Sequence, residues 1–273
     1  MHIEKVWAAY FSATGTTQTV VTRIADALAA ALGAKRAEYD FTLPRARSGP
    51  MRFGGKDLVV FGTPVYAGRV PNLLLKYLAT IEGNGALAVP VSLYGNRNYD
   101  NALIELRNIL IQQGLHPVTA GAFVGEHSFS TTLGAARPDA QDMALVDAFA
   151  AASASKILNL PEGVVPVRIE VKGDSEAGYY KPKGKDGNLI DIRKVRPLVA
   201  AHCTDCKICA EVCPMGSIDH ADVRLFEGVC IKCGACIKKC PVQARYYEDP
   251  GYLFHKQDLE ETYTRRAEPE VFV

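Results

Sequence analysis

The cysteines are the residues whose spacing most clearly implies chemistry. All eight lie between Cys203 and Cys240 of the 273-residue chain, in two Cys-x-x-Cys-x-x-Cys-x-x-x-Cys-Pro runs that end at Pro214 and Pro241. Cysteines at i, i+3 and i+6 can project from one tight loop, and a fourth completes the tetrahedron of thiolates that a [4Fe–4S] cluster requires. The spacing therefore predicts two such clusters, and hence a chain that transfers single electrons.

Two other uses of cysteine fit this pattern less well. Zinc sites commonly use Cys-x-x-Cys pairs separated by a longer gap, rather than three evenly spaced cysteines and a fourth. Disulfides require an oxidising compartment, and residues 1–6 show no apolar leader for export. Thiolates bound to iron suit a reducing environment, so we expect a cytoplasmic protein.

The doubled run resembles that of bacterial ferredoxins with two [4Fe–4S] clusters, over residues 203–246. In those proteins the last cysteine of each run binds the other cluster. The resemblance therefore implies two crossed sets of ligands, Cys203, Cys206, Cys209 and Cys240 for one cluster and Cys213, Cys230, Cys233 and Cys236 for the other. Gly234 of the second run corresponds to Lys207 of the first, and we expect Lys207 to adopt the right-handed helical conformation.

Composition argues against several functions. Hydrophobic residues make up 48% of the chain, which is ample for a globular core. No run of about 18 apolar residues exists that could span a membrane. The formal net charge is +1, and each cluster with its thiolates would add about −2. No basic patch stands out, so nucleic acid is not an expected partner.

The first 160 residues alternate apolar strand patterns with amphipathic helix patterns, which is typical of an α/β fold with a parallel sheet. The predicted strands are residues 5–11, 34–40, 58–62, 86–94 and 118–124. The predicted helices are residues 17–32, 71–81, 100–113 and 138–158. The sequence thus predicts a doubly wound, five-stranded domain over residues 1–160.

The remaining segments are less regular. Residues 161–202 predict a linker or a hairpin insert, with strand patterns at 164–171 and 188–195. The cysteine runs predict a small α+β domain over residues 203–246. Residues 247–273 predict a docked tail with a short helix near 256–266 and an extended end.

A Ser/Thr-rich loop, residues 12–17, lies between the first predicted strand and the first helix. Successive backbone N–H groups and the helix N-terminus favour an anion there, and Gly15 allows the backbone to approach it closely. The loop contains hydroxyls but no Lys or Arg, which suits a phosphate monoester. The alternative is an ordinary capped helix start, where Ser and Thr are common.

This loop resembles the phosphate loop of flavodoxins, whose pattern is S/T-x-T-G-x-T, and that resemblance covers residues 1–160. Segments 63–70 and 94–100 follow strands at the positions where flavodoxins place their two isoalloxazine loops. The resemblance implies strand order 2-1-3-4-5 and bound FMN at the carboxyl edge of the sheet. The implied FMN-binding residues are Ser12, Ala13, Thr14, Gly15, Thr16, Thr17, Thr63, Pro64, Val65, Tyr66, Ala67, Gly68, Tyr94, Gly95, Asn96, Arg97, Asn98 and Tyr99.

Several of these residues have more specific implied roles. Tyr99 corresponds to the aromatic residue that stacks on the flavin, and Tyr66 is the candidate for the opposite wall; ordinary packing is the alternative for both. Backbone groups of residues 96–98 should meet the pyrimidine edge of the flavin. Arg69 and Arg97 could stabilise a reduced flavin or be solvated. His127 could contact the flavin or a substrate, or be incidental.

The whole chain resembles the flavodoxin–ferredoxin fusion proteins, found mainly in anaerobes, and this resemblance implies electron transfer between two [4Fe–4S] clusters and FMN. No catalytic acid or base is then required. Redox proteins such as a ferredoxin or a low-potential reductase are the expected partners, and a homodimer is left open. The main alternative is a ferredoxin-dependent flavin reductase acting on a quinone or another small acceptor. A redox or iron sensor is the third hypothesis.

Overall fold

The structure is a computed structural model that describes residues 2–161 and 163–273. Its main sheet contains the strands β1 (Lys5–Tyr10), β2 (Lys35–Asp40), β3 (Asp57–Pro64), β4 (Leu87–Tyr94), β5 (His116–Pro117) and β6 (Ala120–Val124), with β9 (Glu270–Phe272) from the end of the chain. The order is β2-β1-β3-β4-β6-β9, and β5 also pairs with β4. All pairs are parallel except β6 with β9.

Helices cover both faces of the sheet. α1 (Thr16–Leu32) and α4 (Ala140–Leu158) contribute to the core on one face, and α2 (Asn72–Leu78) and α3 (Ala102–Gln112) to the core on the other. Every residue of β4 is buried, as expected for a parallel strand covered on both sides. The predicted fold class, a doubly wound sheet of flavodoxin-like strand order, is confirmed.

The insert before the cysteine runs departs from its predicted strands. Neither 164–171 nor 188–195 forms a strand; a single antiparallel bridge joins Lys183 to Leu189. The apolar pattern at 164–171 is buried only in part: Val167 is 89% exposed, whereas Ile169 is 8% exposed and belongs to a core cluster with Leu103 of α3. The insert contacts the sheet domain through this apolar packing and through hydrogen bonds such as Tyr180 N–H to Ala67 O at 2.8 Å.

The cysteine runs form a small module with an internal repeat. Its short helices are α5 (Ile208–Glu211) and α6 (Ala235–Lys238), and β7 (Leu198–Val199) pairs antiparallel with β8 (Arg245–Tyr246). Equivalent positions in the two runs share left-handed backbone conformations, at Asp205 and Lys232, Lys207 and Gly234, and Gly216 and Gln243. Lys207 has φ +65°, which corrects the expected right-handed conformation. Both runs therefore impose the same backbone path, whatever the side chain.

The tail forms α7 (Pro250–Thr262) and then β9. This helix begins earlier than predicted because the Asp249 side chain accepts the Tyr252 N–H at 2.8 Å and Pro250 occupies the first turn. β9 was not predicted as a sheet strand; it covers the edge at β6. No helix among the described residues is long and apolar enough to cross a membrane.

Asn96 fastens the tail to the sheet domain. Its side chain is 4% exposed and donates to the backbone oxygens of Tyr263 and Arg265, both at 2.8 Å. Its Oδ1 accepts the Ala267 N–H at 3.0 Å. Buried Arg137 adds a bond from Nη1 to Ala267 O at 2.7 Å.

Replacing Asn96 with alanine should release the tail, because buried backbone groups left without partners cost about 1–3 kcal/mol each. We expect amide hydrogen exchange over residues 263–273 to accelerate by at least about tenfold, as measured by mass spectrometry. Asn98→Ala is the matched control, because the exposed Asn98 side chain accepts only the Asp100 N–H, at 2.9 Å, among the described residues. Unchanged protection of the tail in Asn96→Ala would contradict this account.

Candidate functional site

Two small cavities in the C-terminal module are each lined by four cysteines. The first cavity is lined by Cys203, Cys206, Cys209 and Cys240, and the second by Cys213, Cys230, Cys233 and Cys236. All eight are free thiols. Among the described residues, no three His, Cys, Asp or Glu side chains converge closely enough to hold a single metal ion. Four thiols around a cavity are the donor set that a [4Fe–4S] cluster takes, and the crossed grouping is the one that the ferredoxin resemblance implies.

Backbone amides point at the crossing thiols in both cavities. Ser217 donates its N–H to Cys213 Sγ at 3.3 Å, and Ala244 makes the equivalent bond to Cys240 Sγ at 3.2 Å. Burial raises the pKa of Cys233 to about 12, so this thiol is protonated at neutral pH when no metal is bound. Iron binding must therefore displace its proton.

The second cysteine run lies against the carboxyl edge of the main sheet. Lys238 of α6 donates from Nζ to the backbone oxygens of His127 and Ser130, at 2.7 and 2.9 Å. On another side of the module, Arg47 Nη2 donates to Pro214 O at 2.5 Å. The module is thus anchored to the loops after β2 and after β6.

Gly234 is required at this contact. It has φ +76°, and a Cβ there would lie 2.5 Å from the backbone oxygen of Ser128. The equivalent position of the first run carries Lys207, whose Nζ pairs with Asp205 Oδ2 at 2.7 Å and donates to Ala221 O at 2.8 Å. The two runs differ at this position because the second run meets the backbone of the sheet domain at Gly234.

A cavity of about 710 Å³ lies between the sheet edge, the insert and the second cysteine run. Its walls come from the loops after β3, β4 and β6, from parts of residues 179–193, from residues 229–232 and from α7. The volume lies within the range of about 300–1,000 Å³ that is common for sites of small molecules and cofactors. Four segments that are distant in sequence therefore form one large cavity.

The large cavity and the second cavity have a common wall. Val229, Cys230, Ile231 and Lys232 line both of them. Tyr66 lines the large cavity, and its pKa is raised well above the usual value, chiefly by burial and further by the neighbouring Cys233 and Cys230. A group in the large cavity would therefore be separated from a group in the second cavity by a single layer of residues.

The loop of residues 12–17 joins β1 to α1 at the same edge of the sheet. Gly15 has φ +103°, and among the described residues the amides of residues 13–17 have no hydrogen-bond acceptor. Ser12 Oγ accepts the Gln18 N–H at 3.0 Å. A Cβ on Gly125 would lie 3.2 Å from Thr16 Cβ, so the loop touches the start of the segment that carries His127. Unpaired amides at a helix N-terminus fit a phosphate group.

The predicted FMN-binding residues divide into two groups. Those that line the large cavity are Val65, Tyr66, Ala67, Gly68, Tyr94, Gly95, Arg97 and Asn98. Those that do not line it are the phosphate-loop residues 12–17 together with Thr63, Pro64, Asn96 and Tyr99. The cavity thus has the predicted isoalloxazine loops as walls, and the phosphate loop lies outside it.

Tyr99, which the flavodoxin resemblance predicts to stack on the flavin, does not line the large cavity. Its ring packs against Tyr94 with the centroids 5.7 Å apart, and its hydroxyl donates to Glu270 of β9. The added strand at the sheet edge thus engages this tyrosine. Tyr66 is the predicted aromatic wall that does face the cavity.

The two arginines considered for the flavin hold the insert instead. Arg69 pairs with Glu105 at 2.8 Å and donates to the backbone oxygen of Ala177. Arg97 lies over the ring of Tyr180, with 4.2 Å from Cζ to the ring centroid. Arg97 lines the large cavity, and Arg69 does not.

Two histidines line the large cavity. His127 Nδ1 accepts the Phe129 N–H at 3.1 Å, and burial lowers the pKa of His127 to about 3, so the ring is neutral at pH 7. His255 of α7 has a buried Nδ1 without a hydrogen-bond partner among the described residues. Tyr180 stacks on the His255 ring, with the ring centroids 5.9 Å apart. Sequence reasoning missed His255 and Tyr180, because neither belongs to a motif and both come from segments interpreted as linker and tail.

Comparison with known proteins identifies the C-terminal module. Residues 198–241 match the family model of the 4Fe-4S dicluster domain. An uncharacterised ferredoxin of Methanocaldococcus jannaschii is 44% identical over 70 residues, which are 25% of this chain and 38% of that protein. A seven-iron ferredoxin of Hydrogenibacillus schlegelii is 46% identical over 43 residues, 15% of this chain and 55% of that protein. The chain therefore spans about half or less of these relatives.

The sheet domain is similar to solved flavoproteins. A flavodoxin of Streptococcus pneumoniae TIGR4 aligns over 56% of this chain and 99% of that chain, with 20% identity and a TM-score of 0.38. The apo form of the NADH:FMN oxidoreductase EmoB aligns over 59% of this chain and 91% of that chain, with 17% identity and a TM-score of 0.41.

The strand order and the family match together define the class of this chain. It joins a flavodoxin-like α/β domain to a ferredoxin-type 4Fe-4S dicluster segment. This combination fits a flavodoxin–ferredoxin fusion, and the resemblance noted in the sequence is confirmed.

Adding a side chain at Gly234 should weaken the docking of the cysteine module. In Gly234→Ala the new Cβ clashes with the Ser128 backbone oxygen, and the left-handed conformation costs about 1 kcal/mol more. We expect faster hydrogen exchange over residues 126–130 and easier proteolysis within the insert. Lys207→Ala is the matched control, since it has the same backbone conformation without the contact. Equal protection of residues 126–130 in both variants would refute the assignment.

Proposed function

We propose that this chain is an electron-transfer iron–sulfur flavoprotein that passes single electrons between two [4Fe–4S] clusters and bound FMN. When bound, the clusters exchange one electron each, whereas flavin chemistry accommodates one or two. The observation that carries the proposal is the wall of residues 229–232 common to the second and the large cavities. Electron transfer needs short separations, and Cys230 stands in that wall.

The chain's own residues would hold these groups in distinct ways. The cysteine sets of the first and second cavities would each bind one cluster. The unpaired amides of residues 13–17, with the hydroxyls of Thr14 and Thr16, would bind the phosphate of FMN. Residues 65–68 and 94–98 would flank the ring system, with Tyr66 as an aromatic wall.

Accessibility suggests where a partner binds. Cys206 of the first cavity is exposed, whereas Cys233 of the second is buried. A redox protein can therefore approach the first cavity directly. The second cavity lies between the first cavity and the sheet domain. We propose docking of a ferredoxin or a low-potential reductase at the first cavity, in a cytoplasmic protein. We propose domain limits at residues 160, 202 and 246, with β7 at the end of the insert pairing with β8 of the cysteine module.

Removing hydroxyls from the phosphate loop tests the FMN site. Thr14→Ala with Thr16→Ala should weaken FMN binding by about tenfold or more, because a hydrogen bond to a charged group contributes about 1.5–3 kcal/mol. Flavin fluorescence measures the affinity, and the iron content should stay unchanged.

Thr19→Ala is the matched control for the loop, because within the described part of the chain the exposed Thr19 hydroxyl donates only to Gly15 O, at 3.2 Å. If the double variant bound FMN as tightly as the unmodified protein, the assignment of residues 12–17 as a phosphate loop would be wrong.

A second candidate function is a ferredoxin-dependent flavin reductase. It is favoured by the insert, since Tyr179, Tyr180, Lys181 and Pro182 complete the large cavity and enclose space for a small acceptor. The two functions separate when the protein, reduced without air, is offered different acceptors. We expect rapid oxidation by ferredoxins and slow oxidation by quinones or NAD(P)⁺, as followed by stopped-flow absorbance. Turnover with a small acceptor would favour the reductase.

A further inference from the structure

Arg245 is a buried cation in the wall of the first cavity. Its side chain is 3% exposed, and its Nη2 donates to Cys209 Sγ at 3.2 Å and to the backbone oxygen of Val223. Its Nε and Nη1 have no partner among the described residues. A buried guanidinium with unpaired N–H groups is costly unless anionic groups face it. The thiols, which bind iron as thiolates, are the groups that would do so.

The internal repeat provides a comparison for this position. Arg245 lies five residues after Cys240, and Ile218 lies five residues after Cys213. Ile218 is also buried and lines the second cavity. The repeat thus places a cation against a thiol in one cavity and an apolar side chain at the equivalent position of the other.

The second cavity has a cation of its own in a different role. Lys232 lines it, but its Nζ donates to the backbone oxygens of Cys230 and Arg193, both at 2.9 Å. Lys207 lines the first cavity, and its charge is paired with Asp205. Among the described residues, Arg245 is the cation that donates a hydrogen bond to a cysteine sulfur.

We propose that Arg245 is a potential-setting residue, which stabilises the reduced state of the cluster held by Cys203, Cys206, Cys209 and Cys240. The inference rests on the proposed iron–sulfur cofactors. One-electron reduction by a low-potential partner takes a cluster and its thiolates from about −2 to −3. A fixed positive charge and an N–H···S hydrogen bond both favour the more negative state, so they raise the reduction potential.

The test is a redox titration of the holoprotein, monitored by electron paramagnetic resonance of the reduced clusters. Arg245→Ile gives the two repeats the same residue at this position. For one of the two clusters, we expect the ratio of reduced to oxidised cluster at a fixed applied potential to fall by at least about tenfold. This corresponds to a reduction potential that is lower by about 59 mV. Arg245→Lys keeps the positive charge and should therefore change this ratio less than Arg245→Ile does.

Arg196→Gln is the matched control for the removal of one positive charge. The Cζ atoms of Arg196 and Arg245 lie 5.4 and 5.6 Å from the centroid of the Phe226 ring. Arg196 is exposed, however, and its hydrogen bonds to described residues are all to backbone oxygens. Its loss should change the ratio by less than about threefold, because water screens exposed charges. If Arg196→Gln changed the ratio as much as Arg245→Ile does, the effect would follow from net charge alone and the proposal would be overturned.

Iron content separates this inference from the proposed function. Unmodified protein without about eight irons per chain would refute the proposed cofactors themselves. With full iron, unchanged potentials in Arg245→Ile overturn the role of Arg245 alone. If Arg245→Ile loses iron, Arg245→Gln decides, since it keeps an N–H donor and removes the charge; unchanged potentials there also overturn the role.

Discussion

The contact between the second cysteine run and the carboxyl edge of the sheet is the constraint on which the rest of the structure depends. A module joined only by a linker would sample many positions, and close approach to the sheet would be rare. Here Gly234 lets the backbone of the second run approach Ser128 closely. Lys238 binds the loop after β6 by donating to two backbone carbonyl oxygens of that loop and by an ion pair with Glu126. The ion pair is mostly shielded from solvent, so salt screens it less than an exposed pair.

The same constraint explains how two copies of one motif come to differ. Both runs need left-handed residues at matching positions, and each needs an amide for its crossing thiol. Those requirements belong to the backbone and leave the side chains free. The second run lacks a side chain at Gly234, where it meets the sheet domain, and the wall of the first cavity contains a buried cation, Arg245.

Much of the framework could be predicted from sequence because local patterns determine it. The alternation of strands and helices predicts the sheet, and the cysteine spacing predicts two four-thiol sites. What could not be predicted depends on contacts between distant segments. Tyr99 satisfies the flavodoxin pattern, yet β9 arrives about 170 residues later and engages its hydroxyl through Glu270. The left-handed Lys207 was missed because residue preference favours glycine there, whereas the fold of the loop fixes the backbone.

The insert and the tail change the electrostatics of the sheet edge. A bare doubly wound domain presents its carboxyl edge to water, but here these segments and the cysteine module enclose it. The enclosure lowers the pKa of His127 to about 3 and raises that of Tyr66, so both side chains are neutral at pH 7. Water screens charge weakly in such a space. Charged groups in the walls are therefore weakly screened from one another, and Arg97 and Lys232 are two of the cations that line this cavity.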